Sequence, residues 1–312
     1  MKKSIIALAV AGAMTAPMVA QADATLFGEV RYDIADTDGQ SHLESRIDRV
    51  RFGVKGEETM DNGLTAGYFI RFKADTTEQS STVTLDTEAT KDNDIATDKI
   101  ALYIAGDFGK VILGDADSPV AYIAGRQVYT TVHDGSLETL DDEFEQGGIS
   151  YESNNYNGFS FKAGIGDVDG DDTAATGNEN QYGFSVDYDA ESFGVTLAGG
   201  EINDKSVAGI SGEYKFGAAK VGLAYIDHED NSEYVSVSAA YVIDKLSLAA
   251  QYEIQDWDNS TLEDSEAVNV SATYDLGGNA YVALSAVDFN SDAENNDADA
   301  RDQVVLRYGI SF

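Results

Sequence analysis

The residues predict an all-β protein, a 16-stranded antiparallel up-and-down transmembrane β-barrel. Three observations lead there. Apolar and polar residues alternate with period two through nearly the whole chain beyond residue 22. No convincing helical stretch interrupts that alternation. The connections between the alternating segments are by turns short and long. Successive side chains of a strand point to opposite faces, so period two means a sheet with one apolar face.

Each segment carries the signal in its own way. Near the start, Leu26, Val30, Tyr32 and Ile34 share one face, and Glu29, Arg31 and Asp33 the other. Val235, Val237, Ala239 and Tyr241 alternate with small polar partners. At the end, Val304, Leu306, Tyr308, Ile310 and Phe312 oppose Gln303, Arg307 and Ser311. Sixteen such segments lie near 25–34, 46–57, 64–73, 99–106, 109–114, 148–153, 158–166, 181–188, 193–200, 207–216, 219–226, 233–242, 245–254, 267–275, 280–287 and 302–312.

Seven connections are short and rich in turn formers, such as Glu58–Gly63 and Gly217-Ala218. Eight are longer or more polar: 35–45, 74–98, 115–147, 167–180, 201–206, 227–232, 255–266 and 288–301. Strict alternation of the two kinds is what a barrel gives when one rim carries turns and the other loops. In a soluble sandwich the apolar face would turn inward. Here charged residues sit mid-strand on the polar face, including Lys162 and Glu213, and Tyr and Phe gather toward strand ends. A lumen-lining polar face and an aromatic girdle at the bilayer interfaces account for both.

Composition agrees. The 312 residues hold 56 Asp+Glu against 20 Lys+Arg, for a formal charge of −36. That argues against a nucleic-acid binder, which needs a basic footprint. There is no Cys, which removes disulfides, thiolate metal sites and cysteine nucleophiles together. His42, His133 and His228 lie far apart, without a second His at ligand spacing, so no His-built zinc site is expected.

Residues 1–22 read as a secretory signal peptide: Lys2 and Lys3, an apolar Ile5 to Ala13, and a small-x-small Ala20-Gln21-Ala22. The barrel would then occupy 23–312, and loss of the two lysines takes its charge from −36 to −38. Across the eight long connections Asp+Glu number 38 against four Lys+Arg, so nearly all the acidity belongs to one rim.

These residues resemble the Gram-negative general porins. Thr25-Leu26-Phe27-Gly28-Glu29-Val30 is similar to that family's first strand, and Arg51–Glu58 with Asn62–Tyr68 to its strand–turn–strand signature. Gly106–Asp115 resembles the segment feeding the third loop, and Gly148–Ser153 with Asn157–Ser160 the stretch leaving it. Tyr308, Ile310 and Phe312 fall in a terminal strand similar to the signal read by the barrel-assembly machinery. The resemblance covers 23–312 and implies a homotrimeric outer-membrane diffusion channel, with short periplasmic turns, long extracellular loops and a third loop folded into the lumen. It also implies contact with outer-membrane lipid and lipopolysaccharide. One departure is Asp115, where many members carry a basic residue.

The candidate constriction has two sides. Loop 115–147 carries Asp115, Asp117, Asp134, Glu138, Asp141, Asp142, Glu143 and Glu145 against one Arg126. The facing wall would offer Arg31, Arg49, Arg51, Lys55, Arg71 and Lys73, all at inward parity, whereas Arg46 has the opposite parity to Arg49 and belongs to the loop end. Opposed charges set a transverse field that orients dipolar solutes and hinders apolar ones. The acid surplus predicts cation preference for a passive channel for small hydrophilic solutes and ions.

No enzyme is expected, because G-x-S-x-G, G-K-[ST] and H-E-x-x-H are all absent. No cofactor is expected either. Asp167-Val168-Asp169-Gly170-Asp171 has the look of a Ca²⁺ loop, but Asn178 stands where its Glu belongs. Looser Ca²⁺ bridging from acidic extracellular loops to lipopolysaccharide is the extent of the metal chemistry implied. Two alternatives stay open. A substrate-specific channel, for oligosaccharides for example, should show an aromatic ladder, of which only Phe27 and Phe69 have inward parity. A secreted or surface adhesin would form no channel.

Overall fold

The computed structural model describes residues 24–74, 95–126, 137, 147–167, 180–202, 205–296 and 300–312. The signal-peptide reading of residues 1–22 and most of the Ca²⁺-loop motif lie outside them. Among the described residues sixteen strands follow in chain order: β1 (Thr25–Thr37), β2 (Glu44–Thr59), β3 (Thr65–Ala74), β4 (Ile95–Gly106), β5 (Gly109–Gly114), β6 (Gly148–Glu152), β7 (Phe159–Asp167), β8 (Asn180–Asp189), β9 (Phe193–Ile202), β10 (Lys205–Phe216), β11 (Ala219–His228), β12 (Ser232–Ile243), β13 (Leu246–Trp257), β14 (Ser265–Gly277), β15 (Ala280–Phe289) and β16 (Gln303–Ser311). A 3-10 helix (Ala121–Arg126) follows β5, and one short helix, α1 (Ser291–Asn296), follows β15.

Every strand pairs antiparallel with its sequence neighbours, and β16 pairs with β1, so the sheet is a closed ring. Gly28 and Phe312 exchange two backbone hydrogen bonds of 3.0 Å at the seam. Closure leaves no strand edge, which a bilayer requires because it offers no water to unpaired backbone groups. The outer face is apolar and exposed, with Leu102 on β4, Phe184 on β8, Leu223 on β11 and Leu284 on β15 all more than half exposed. An apolar surface of that extent belongs against lipid. Tyr308, Ile310 and Phe312 lie on this face. Near its loop-side edge Tyr182 donates to Glu201 at 2.8 Å and Tyr252 to Glu266 at 2.7 Å, as an interfacial girdle of amphipathic rings would.

All sixteen sequence segments correspond to strands, but many strands run further toward the loop rim. β4 starts at Ile95 rather than 99, and β13 continues to Trp257. Beyond the bilayer both faces are wet, so alternation fades while backbone pairing continues. Trp257 therefore closes β13 opposite Ser232, and its Nε1 donates to Ser265 Oγ at 3.1 Å. For the same reason the polar connection between β11 and β12 shrinks to residues 229–231.

β5 and β6 have only six and five residues, and they flank the 115–147 connection. The chain leaves β5 at Gly114, whose φ of 108° is closed to side-chain-bearing residues. Val120, Ile123 and Leu137 of the connection form a core with inward-facing Ala198, Val207, Ile226, Tyr234, Ala267 and Phe289, joined by Ala293 of α1 and Ala300. The alternation at those strand ends fails in one telling way: Tyr225-Ile226 and Tyr234-Val235 are apolar on both faces.

Candidate channel constriction

The basic wall forms on the inner face of β1–β4. Cross-strand partners share a face, so Glu29 lies beside Arg51, Arg31 beside Arg49, and Arg71 beside Lys99. Two β-bulges interrupt this register. In β2 the extra residue is Asp48, since Arg31 pairs with Arg49 and Tyr32 with Ile47. In β4 it is Asp98, since Arg71 pairs with Lys99 and Phe72 with Thr97. One extra residue reverses the parity of everything beyond it. Arg46 is thereby carried onto the inner face opposite Asp33, contrary to the expectation from its sequence parity.

Both bulge residues are aspartates, and both serve arginines. The Asp98 side chain is 5% exposed; its Oδ2 lies 3.1 Å from Arg51 Nε and also pairs with Arg71. Arg31 pairs with Glu29, whose other oxygen is 4.0 Å from Arg49 Nη1. Further round, Arg307 of β16 grips Asp33 with two bonds, Nε–Oδ1 at 2.8 Å and Nη2–Oδ2 at 2.6 Å, and its Nη2 lies 2.9 Å from Asp48. Lys55 sits lower, 5.7 Å from the Phe27 ring, which stacks on Phe69 at 5.0 Å. Lys73 is the cross-strand partner of Arg51. The aromatic pair stays local to the turn-side end of the wall.

The described part of the third loop starts beside this wall and ends across the lumen from it. Asp115 accepts the Ile100 backbone N–H at 2.6 Å, so its carboxylate braces β4. Asp117 pairs with Lys99. Asp134, Glu138, Asp141, Asp142, Glu143 and Glu145 lie outside the described residues. The 3-10 helix then packs against β9, β10 and β11. In a ring of sixteen, β10 stands eight places from β2, on the opposite wall.

Glycines make the seat for this helix. A Cβ at Gly183 would fall 2.5 Å from Val120 Cγ2, and one at Gly209 2.8 Å from Ile123 Cγ2. Val120 and Ile123 are fully buried there. Arg126 ends the helix among acids: it pairs with Asp189, lies 3.5 Å from Asp187 and 3.7 Å from Glu213, and donates through Nε to Thr196 at 2.9 Å. Its guanidinium lies over Gly194, where any side chain would overlap it. Burial draws the Arg126 pKa down, but Asp189, Asp187 and Glu213 outweigh it and hold the charge more firmly than usual. A second anchor is Glu253 on β13, buried, which accepts from Tyr234, from Gln251 at 2.9 Å, from Asn269 at 3.1 Å and from the Leu137 backbone N–H at 3.4 Å.

Sequence reasoning missed Asp48, Asp98 and Lys99 as parts of the wall. A trace was available. Asp48-Arg49 and Asp98-Lys99 each set an acid beside a base inside a strand, and the two can share one face only through a bulge.

A closed lipid-facing barrel, polar within and with a loop segment seated on its inner wall, defines a transmembrane channel. The Gram-negative porin family model matches residues 7–294, and the chain belongs to that family. Among characterised relatives it is 24% identical over 329 aligned positions to a "Monosaccharide porin" of Halomonas sp, covering 96% of this chain and 83% of that one. A "Major outer membrane protein" of Halomonas elongata matches with the same figures. Among solved structures, a mutant of the Rhodopseudomonas blastica porin superposes with TM-score 0.71 at 16% identity, over 93% of this chain and all of that one. Another variant of the same porin gives 0.70 at 17%. The protein is thus an outer-membrane porin, a channel for passive diffusion; the family points to transport rather than to an enzyme.

Proposed function

We propose that the chain, freed of residues 1–22, forms a homotrimeric and cation-preferring porin for small hydrophilic solutes. The observation that carries the preference is the local pairing of the basic wall. Arg51 and Arg71 share Asp98, Arg31 and Arg49 share Glu29, and Arg307 is held by Asp33 and Asp48. These four acids offset part of the wall's positive charge where it stands, and the eight long connections of the sequence, Asp98 included, hold 38 acids against four bases. The surplus field at the mouth therefore attracts cations. Within the lumen, Arg31, Arg49, Arg51, Lys55, Arg71 and Lys73 are assigned to one side of the aperture, where Asp115 and Asp117 join them, and the later carboxylates of loop 115–147 are assigned to the other.

The fold of the outward Tyr308, Ile310 and Phe312 suits insertion by the barrel-assembly machinery, and the acidic rim suits divalent bridging to lipopolysaccharide. The name of the Halomonas sp relative suggests monosaccharides as solutes to try first. The deciding experiment is the zero-current potential of the reconstituted channel in a salt gradient. A cation-selective sign is expected, and an anion-selective sign would overturn the reading.

A further inference from the structure

A niche of about 260 Å³ opens in the lumen wall beside the 3-10 helix, between the Arg126 anchor and the side chains of Ser160 and Lys162. Its lining includes Arg126, Ser160, Lys162, Asp187, Thr196 and Glu213. The wall residues share the inner face, because Ser160 pairs with Asp187 and Asp187 with Thr196 across adjacent strands. At roughly 30 Å³ per water, the niche holds about nine waters, or one molecule of about that many non-hydrogen atoms.

One atom in it is unexplained. The Asp187 side chain is 9% exposed, and its two oxygens have different surroundings. Oδ1 accepts from Thr196 Oγ1 at 2.6 Å and faces Arg126 at 3.5 Å. Oδ2 is buried and has no hydrogen-bond donor among the described residues. A buried carboxylate oxygen left without a donor costs free energy, so it marks a place where a donor from outside belongs. The other groups around the niche carry both signs: an ammonium from Lys162, the guanidinium of Arg126, and the carboxylate of Glu213. A bare cation would meet two fixed positive charges, whereas a molecule rich in hydroxyls can donate to Asp187 and accept from Lys162 or Ser160.

We propose that this niche is a solute-binding subsite, taking one small neutral polyhydroxylated molecule with a hydroxyl donated to Asp187 Oδ2. The proposal deepens the reading of a hydrophilic-solute channel: Asp187 gives the channel affinity for one solute class in addition to a size limit.

The test uses the full reconstituted channel in planar bilayers with sorbitol as probe. Wild-type channels should show a saturable fall in current, with excess current noise. Asp187→Asn turns the open atom from acceptor to donor while an oxygen remains for Thr196, and Ser160→Leu fills the niche without touching the Arg126 contacts. Either should raise the half-saturating sorbitol concentration by about tenfold, the cost of one hydrogen bond to a charged group. A current that falls with sorbitol only in proportion to bulk conductivity, alike in wild type and both variants, would overturn the subsite. So would a conductance that saturates with KCl through Asp187 but ignores sorbitol, which would make it a cation site. If the wild-type protein formed no channels, the porin reading itself would fail first.

Discussion

The apolar seat of the third loop is centred on two side chains, and truncating them should loosen it. Val120 and Ile123 are both fully buried against the β8–β10 wall. Ile123→Ala costs about 2–5 kcal/mol by burial loss and cavity formation. Val120→Ala removes two more carbons, roughly 1.6 kcal/mol at about 0.8 each. The double variant therefore loses about 4–7 kcal/mol of seating free energy. Each 1.4 kcal/mol is a factor of ten, so even the lower figure raises the unseated population by more than about 100-fold. The Arg126 cluster and Glu253 still tether the loop, which makes the expected result a noisy channel: more open-channel current noise, higher mean conductance and admission of larger uncharged solutes. The barrel wall should be untouched, as shown by an unchanged heat-modifiable band on gels. Conductance, noise and size exclusion equal to wild type in a correctly folded double variant would refute the reasoning.

Three further outcomes follow from the charge pairs. Arg307→Met leaves Asp33 and Asp48 without their shared cation, at a cost of about 3–5 kcal/mol. The temperature at which the folded band converts to the unfolded one should fall, and an unchanged temperature would remove the pair from the stability of the seam. Asp98→Asn removes the negative charge that Arg51 and Arg71 share, so the zero-current potential should move toward the anion side; a potential equal to wild type would show that this charge does not act on permeating ions. At the loop-side end of β13, Asp256 repels the charge on Asp264 in the following loop and raises its pKa above the ordinary carboxylate value. The native state then keeps that proton longer than the unfolded chain, so its contribution favours folding at low pH and is lost as pH rises through the raised pKa. NMR titration should find Asp264 back in the ordinary range in Asp256→Asn, and an unmoved titration would assign the shift elsewhere.

The strands were legible because lipid on one side and water on the other impose period two, as along Val304 to Phe312. The inner-face placement of Arg31, Arg49, Arg51, Lys55, Arg71 and Lys73 was likewise legible from parity. What local reading could not supply was anything dependent on a shift in register. Arg46 looked misplaced until Asp48 proved to be an extra residue in β2, and Asp98 looked like loop acidity until it proved to be the bulge that holds Arg51 and Arg71. The loop's path was hidden for another reason. Gly183, Gly200 and Gly209 are unremarkable in their own strands and become a seat only when a segment some 60 to 90 positions earlier lies on them.

The pairing of Arg307 with Asp33 has a bearing on assembly. The two residues are 274 positions apart, and each sits on a strand that finds its second neighbour only when the ring closes. Until then each is a charged group on an unfinished sheet, and neither can be buried without penalty. Closing so long a loop is slow, and every strand between must already be in register. The ion pair therefore works as a checksum: it can be completed only by a chain whose first and last strands are both present, correctly counted and facing the same way.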